Sequence, residues 1–118
     1  MKYRALKVIV AGSRNYTNYI VLAKKLDQLL KNKKAIILSG GARGADELGE
    51  RYAKERGLHL IRKPANWKYG KHAGKIRNAE MAEEADALVA FWDGKSPGTQ
   101  HMIETAKRRG LAVRIIKI

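Results

Sequence analysis

"AIILSGGARGADELGERYAKERG", residues 35–57, carries most of the decision about the fold. Its first five residues are apolar up to the terminal serine, too short for a helix and bounded by glycine, which reads as a strand buried on both faces. From Ala45 the apolar and small positions Leu48, Gly49, Tyr52 and Ala53 recur at helical spacing, and Gly57 supplies a helix stop. Between strand and helix lies a loop with three glycines. It matches neither usual phosphate template, because no Gly-Lys-Ser/Thr closes it and the dinucleotide spacing G-x-G-x-x-G is absent.

The same unit repeats outward in both directions. "ALKVIVAG" reads as a first strand, followed by a helix capped by Thr17 or Asn18 that buries Leu22, Leu26, Leu29 and Leu30 and turns Lys24 and Lys25 outward. After the quoted stretch come a weaker strand, "LHLIR", a long loop, "KPANWKYGKH", and a helix from about Ala73 to Ala85. "DALVAFW" is a fourth strand. Ser96 and Pro97 open the last helix as a capping serine and a proline at the first helical position, and "AVRIIKI" is a fifth strand. Strict alternation predicts one α/β domain over residues 1–118, a doubly wound Rossmann-like parallel sheet of about five strands in the order 3-2-1-4-5.

Such a sheet sends every strand-to-helix loop to its carboxyl edge, where ligands bind. Three of those loops are rich in glycine and small residues. The first offers Gly12, Ser13 and Arg14. The second offers Ser39, Gly40, Gly41, Arg43, Gly44 and Asp46, with backbone free to approach a ligand, a helix start that attracts anions and an arginine for a bidentate contact. The fourth offers Trp92, Asp93, Gly94, Ser96, Gly98 and Thr99. Each loop taken alone reads also as a tight turn, with Asp46 complementing its own helix and Asp93-Gly94 as ordinary turn chemistry. Met102 and Ile103 continue from Thr99 at helical spacing and read as core.

The third loop interleaves Trp67 and Tyr69 with Lys68, Lys71, His72 and Lys75, a pattern that stacks bases and neutralises phosphate. The general tendency of tryptophan to be buried favours the other reading, in which Trp67 plugs the loop onto the sheet. Arg77 and Asn78 follow in the first turns of the next helix, over the same edge.

Composition narrows the partners. Twenty-five Lys and Arg against eleven Asp and Glu in 118 residues give a net charge of +14, which favours anionic partners, although the basic residues are spread over nearly every element as on a solvated surface. There is no cysteine, hence no disulfide or thiolate site, and His59, His72 and His101 stand singly, so no metal site is expected. No apolar run approaches a membrane span, and the N-terminus lacks a signal-peptide pattern, from which a cytoplasmic protein is expected.

Four ordered motifs, "GSR", "SGGARGAD", "AGKIRNAEM" and "AFWDGKSPGT", together resemble the YspA/YpsA-related branch of the SLOG superfamily, which includes the DprA/Smf DNA-processing proteins and the LOG phosphoribohydrolases. The resemblance covers nearly the whole chain and implies a Rossmann-like fold with a site for a nucleotide or a ligand derived from NAD or ADP-ribose. "SGGARGAD" is similar to the phosphate-binding stretch of DprA, which implies Gly40, Gly41, Arg43, Gly44 and Asp46 at the ligand. "IRNAEM" resembles the Arg-Lys segment of the LOG enzymes, which implies a catalytic or phosphate-binding role for Arg77, with Asn78 in place of the lysine. "SPGTQHM" resembles the LOG motif Pro-Gly-Gly-x-Gly-Thr-x-x-Glu at Gly98 and Thr99, but Met102 stands where that family has its catalytic glutamate. Glu104, two residues on, lies about 200° further round a helix.

The leading expectation is therefore a nucleotide-binding or sensor module without a required cofactor. It places phosphate on the amides of the second and fourth loops among Arg14, Arg43 and Arg77, and Trp92 or Trp67 against the base. The alternatives are a nucleotide hydrolase with Asp93 and Arg77 as catalytic candidates and Asp46 as the other carboxylate at the edge, and a DprA-like nucleic-acid-binding protein; under the leading expectation any nucleic-acid binding is weak and without sequence preference. A homodimer is suggested by the relatives alone.

Overall fold

The computed structural model describes residues 4–118. Strands β1 (Leu6–Gly12), β2 (Ala35–Ser39), β3 (His59–Arg62), β4 (Ala87–Trp92) and β5 (Ala112–Lys117) alternate with helices α1 (Tyr19–Leu29), α2 (Ala45–Glu55), α3 (Ala73–Glu84) and α4 (Pro97–Arg108). All strand pairs are parallel and the order is β3-β2-β1-β4-β5, as the alternation predicts.

Both faces are covered, which is why the central strands β1, β2 and β4 are largely apolar rather than alternating, while the edge strands β3 and β5 carry charged residues. On one face Val8, Val10, Ile37 and Phe91 pack with Leu22 and Leu26 of α1 and Tyr52 and Ala53 of α2. On the other, Ile9, Leu38, Leu88 and Ala90 pack with Met81 and Ala82 of α3 and Met102, Ile103 and Ala106 of α4. Leu29 and Leu30, expected in the buried stripe of α1, are half-buried where the helix ends. Asn18 is the residue that caps α1, its Oδ1 accepting from the Val21 N–H at 3.1 Å.

Two expectations need correction. Ser96 occupies the position before α4, but its hydroxyl makes no capping bond; it is drawn to Asp93 and Ser13 instead. Trp67 does not plug its loop. It is 66% exposed, at the start of a 3-10 segment, Trp67–His72, that stands off the sheet with Tyr69 58% exposed. Among the described residues, no helix is long and apolar enough to cross a membrane.

Candidate functional site

The carboxyl edge carries two adjoining compartments. An outer cleft of about 250 Å³ is walled by Arg14, Gly40 to Arg43, Pro64, Ala65, Trp67 and Arg77. An inner one of about 70 Å³ is bounded by Gly12, Asp46, Asn78, Gly98, Thr99 and the apolar Met81 and Met102, among others. Arg14, Ala42 and Arg77 line both, so the two communicate past these residues.

Arg77 is held in place from two sides. Its Nε donates to Asn78 Oδ1 at 3.0 Å and its Nη1 to the Gly40 carbonyl at 2.6 Å. The Asn78 amide in turn donates to the Gly98 carbonyl at 3.3 Å and meets His101 Nδ1 at 3.1 Å, so one buried amide ties α3 to the start of α4. Burial shifts the Arg77 guanidinium below its ordinary value; the Asp46 charge opposes this, and the neighbouring Arg14 charge adds to it. The side chain stays protonated at any ordinary pH. Arg14 and Arg43 make no ion pair among the described residues and are exposed. Like charges converge here, with the buried Asp46 carboxylate acting on Arg77 but no ion pair to any of the three arginines among the described residues.

The glycine loop is not an open amide cradle. Its N–H groups are turned inward: Gly41 N donates to Ser39 Oγ at 3.1 Å, Ala42 N to Asp46 Oδ2 at 3.3 Å, and Gly44 N to Glu47 Oε1 at 3.1 Å. Ala45 N reaches the Ser13 carbonyl at 3.2 Å. Phosphate on the amides of this loop is therefore not what the geometry favours; the positive edge here is made by guanidinium groups. Gly44 itself, at φ 76°, lies against the Ser13 and Arg14 carbonyls, where an added Cβ would collide, so it packs the second loop under the first. At Gly40 a Cβ would lie 2.5 Å from Arg77 Nη1 and 2.9 Å from Asp46 Oδ2, which is why the backbone can pass between those two side chains only as glycine.

Asp46 is 6% exposed and forms part of the inner wall. Burial raises its carboxyl to about 6, against the lowering effects of the Ala42 N–H and the Arg77 charge, while Glu50 adds to the rise. Gly98 and Thr99, which also line the compartment, lie in the first turn of α4, and their N–H groups have no backbone acceptor among the described residues.

The remaining expected site residues lie outside both compartments. Ser39 is fully buried and donates to Glu50 Oε2 at 2.7 Å, with Arg62 Nε on the same oxygen at 3.1 Å. Ser13 is buried and accepts from the Asp93 N–H at 3.2 Å, which joins the first loop to the fourth. Trp92 is half-buried, its Nε1 donating to the Ser96 carbonyl at 3.2 Å. Asp93 closes a turn: its Oδ1 accepts from the Lys95 and Ser96 N–H groups at 2.8 Å each, and these bonds, the Lys95 one first, pull its carboxyl down to about 2. Gly94, at φ 80°, is the bend of that turn. Pro64 and Ala65 form a wall that residue type alone did not signal. Their place follows only from β3 pairing with β2, which brings the exit of β3 beside the glycine loop.

A parallel 3-2-1-4-5 sheet with clustered arginines and small residues at its carboxyl edge defines a Rossmann-like domain. The model of the YspA, cpYpsA-related SLOG family matches residues 6–70. Gene 61 protein of Mycobacterium phage D29 is 34% identical over 116 residues, covering 91% of this chain and 93% of that protein. The chain belongs to the YspA, cpYpsA-related SLOG family.

Solved structures agree on the fold. DNA processing protein A from Streptococcus pneumoniae superposes with a TM-score of 0.79 at 21% identity, over 97% of this chain and 51% of that one. The chain thus spans about half the length of that protein. TM1055, a structural-genomics target, gives 0.67 at 19% identity, over 93% of this chain and 72% of its own. DNA processing protein A from Helicobacter pylori, described by its single-stranded DNA binding mode, gives 0.65 at 20%, over 93% and 64%. At these identities the likeness concerns the fold alone.

Proposed function

We propose that this chain is a binding module for a nucleotide or nucleotide-derived anion, held at the carboxyl edge of the sheet. The observation that carries the reading is the convergence of Arg14 and Arg77 on both compartments, with Arg43 on the outer one and no ion-pair partner for any of the three among the described residues. A phosphate or pyrophosphate supplies the missing counter-charge, and guanidinium groups bind it bidentately. Exposed Trp67, on the wall of the outer cleft, is placed to stack a base; Trp92, tied down at the end of β4, is not. A thermal-shift panel of AMP, ADP-ribose, NAD, cyclic nucleotides and short oligonucleotides tests this. A ligand at a hundredfold excess over its Kd stabilises by about 2.7 kcal/mol. No shift with any of these ligands overturns the reading.

A second reading is favoured by Trp67 and Tyr69 standing exposed among Lys68, Lys71 and Lys75. Two aromatic faces in a basic segment suit a single nucleic-acid strand, and stacking contributes about 1–3 kcal/mol per base. Oligonucleotide binding that persists at physiological salt and collapses in Trp67→Ala would move this reading ahead of the first.

A further inference from the structure

We infer that the inner compartment is a hydroxyl subsite that reads the ribose of the bound ligand, so that the site selects ribose phosphates over their 2-deoxy counterparts. This rests on the reading just proposed and adds to it a substrate class. The walls of the compartment carry opposite hydrogen-bonding capacities. On one side is the Asp46 carboxylate, more than nine-tenths buried, which accepts from the Ala42 N–H at 3.3 Å and from the Gly40 N–H and makes no ion pair within 4.0 Å among the described residues. On the other are Gly98 and Thr99, whose N–H groups have no acceptor among the described residues, and the Thr99 hydroxyl, which likewise has no partner among them.

A group that both donates and accepts satisfies such walls together, and a sugar hydroxyl is that group. A phosphate does not suit them, because it only accepts at neutral pH and would face the Asp46 carboxylate charge to charge. A base does not suit them either. About 70 Å³ holds a few water-sized groups, too little for a base. Arg14 and Arg77 line this pocket as well as the outer cleft and Arg43 lines the outer cleft alone, so a phosphate held between Arg77 and Arg43 and a sugar edge beside Asp46 follow the same line across Arg77. Asn78, which also lines the compartment, spends its amide on Gly98 and His101 and its carbonyl on Arg77; it positions rather than reads.

The test is calorimetric titration at pH 7.5 with ribose 5-phosphate and 2-deoxyribose 5-phosphate, and with AMP and 2′-deoxy-AMP, for the parent, Asp46→Asn and Thr99→Val. The ribose form of at least one pair should bind tenfold or more tighter to the parent, because the deoxy form leaves the buried carboxylate one donor short. That ratio should fall below about threefold in Asp46→Asn, since a neutral amide loses little by the missing hydroxyl. Equal binding of both forms to the parent overturns the inference and leaves the anion site standing. Binding of both forms that tightens below pH 6 with proton uptake places phosphate against Asp46 and also overturns it. Failure of every probe to bind overturns both the inference and the reading beneath it.

Discussion

Asp46→Asn is the substitution whose effect the structure fixes most closely, and it should stabilise the protein at neutral pH. The carboxyl is buried at the wall of the inner compartment, and burial pushes it up to about 6 from the ordinary 3.8. The folded state therefore binds this proton more tightly than the unfolded chain does. Stability from Asp46 is complete below pH 4, declines as pH rises through about 6, and is then flat. The gap between 3.8 and about 6 corresponds to roughly 3 kcal/mol lost at pH 8. Asparagine keeps an oxygen for the Ala42 N–H and has no charge to bury. Urea unfolding at pH 4 and pH 8 measures the difference. With a slope of about 1–3 kcal/mol per molar, the variant's midpoint should exceed the parent's by roughly 1–3 M at pH 8. At pH 4 the advantage should have nearly vanished. A variant no more stable than the parent at pH 8, or one whose advantage is the same at both pH values, would refute the argument from burial. An ionised carboxylate kept buried at a cost in stability fits a group retained for binding.

Three further outcomes follow from the site. Arg14→Ala and Arg43→Ala should each weaken anion binding by about 10- to 100-fold, as expected for lost charge-assisted bonds, and leave the thermal midpoint unchanged, since both are exposed and neither is ion-paired among the described residues; calorimetry and melting curves check both halves. Gly44→Ala should cost about 1–3 kcal/mol from its backbone angle alone, and more from collision with the first loop, measured by denaturant unfolding. Asp93→Ala should lower the melting temperature by freeing the Lys95 and Ser96 N–H groups, with the loss shrinking as pH falls from 4 towards 2, where the parent's own carboxylate takes up its proton.

The parallel sheet was legible because largely apolar strands alternate with helices, and a long first strand buried on both faces suits the centre of the order. The clustering of Gly12, Arg14, Gly40, Arg43, Asp46, Arg77 and Gly98 at one edge followed from that topology, and the two compartments contain all of them. The direction of the loop amides was not foreseen. Glycine content suggested an open cradle, whereas Asp46 and Glu47 reach back to fill it. The spacing of Gly44 and Glu47, that of a capping box, held the signal. Trp67 was misjudged for a different reason. Its average burial is a property of compact elements, and here the residue begins a short 3-10 segment with no buried residue of its own. Pro64 and Ala65 carry no chemical mark and enter the site by strand adjacency alone.

The central claim is that a nucleotide-derived anion binds at the carboxyl edge among these arginines. An amide-resolved NMR titration with AMP and ADP-ribose tests it most directly. The account predicts saturable shifts at the N–H groups of Ala42, Arg43, Gly98 and Thr99, with Asn32 and Gly110 at the opposite edge unmoved. Shifts centred on that opposite edge, or none that saturate with either probe, would contradict it.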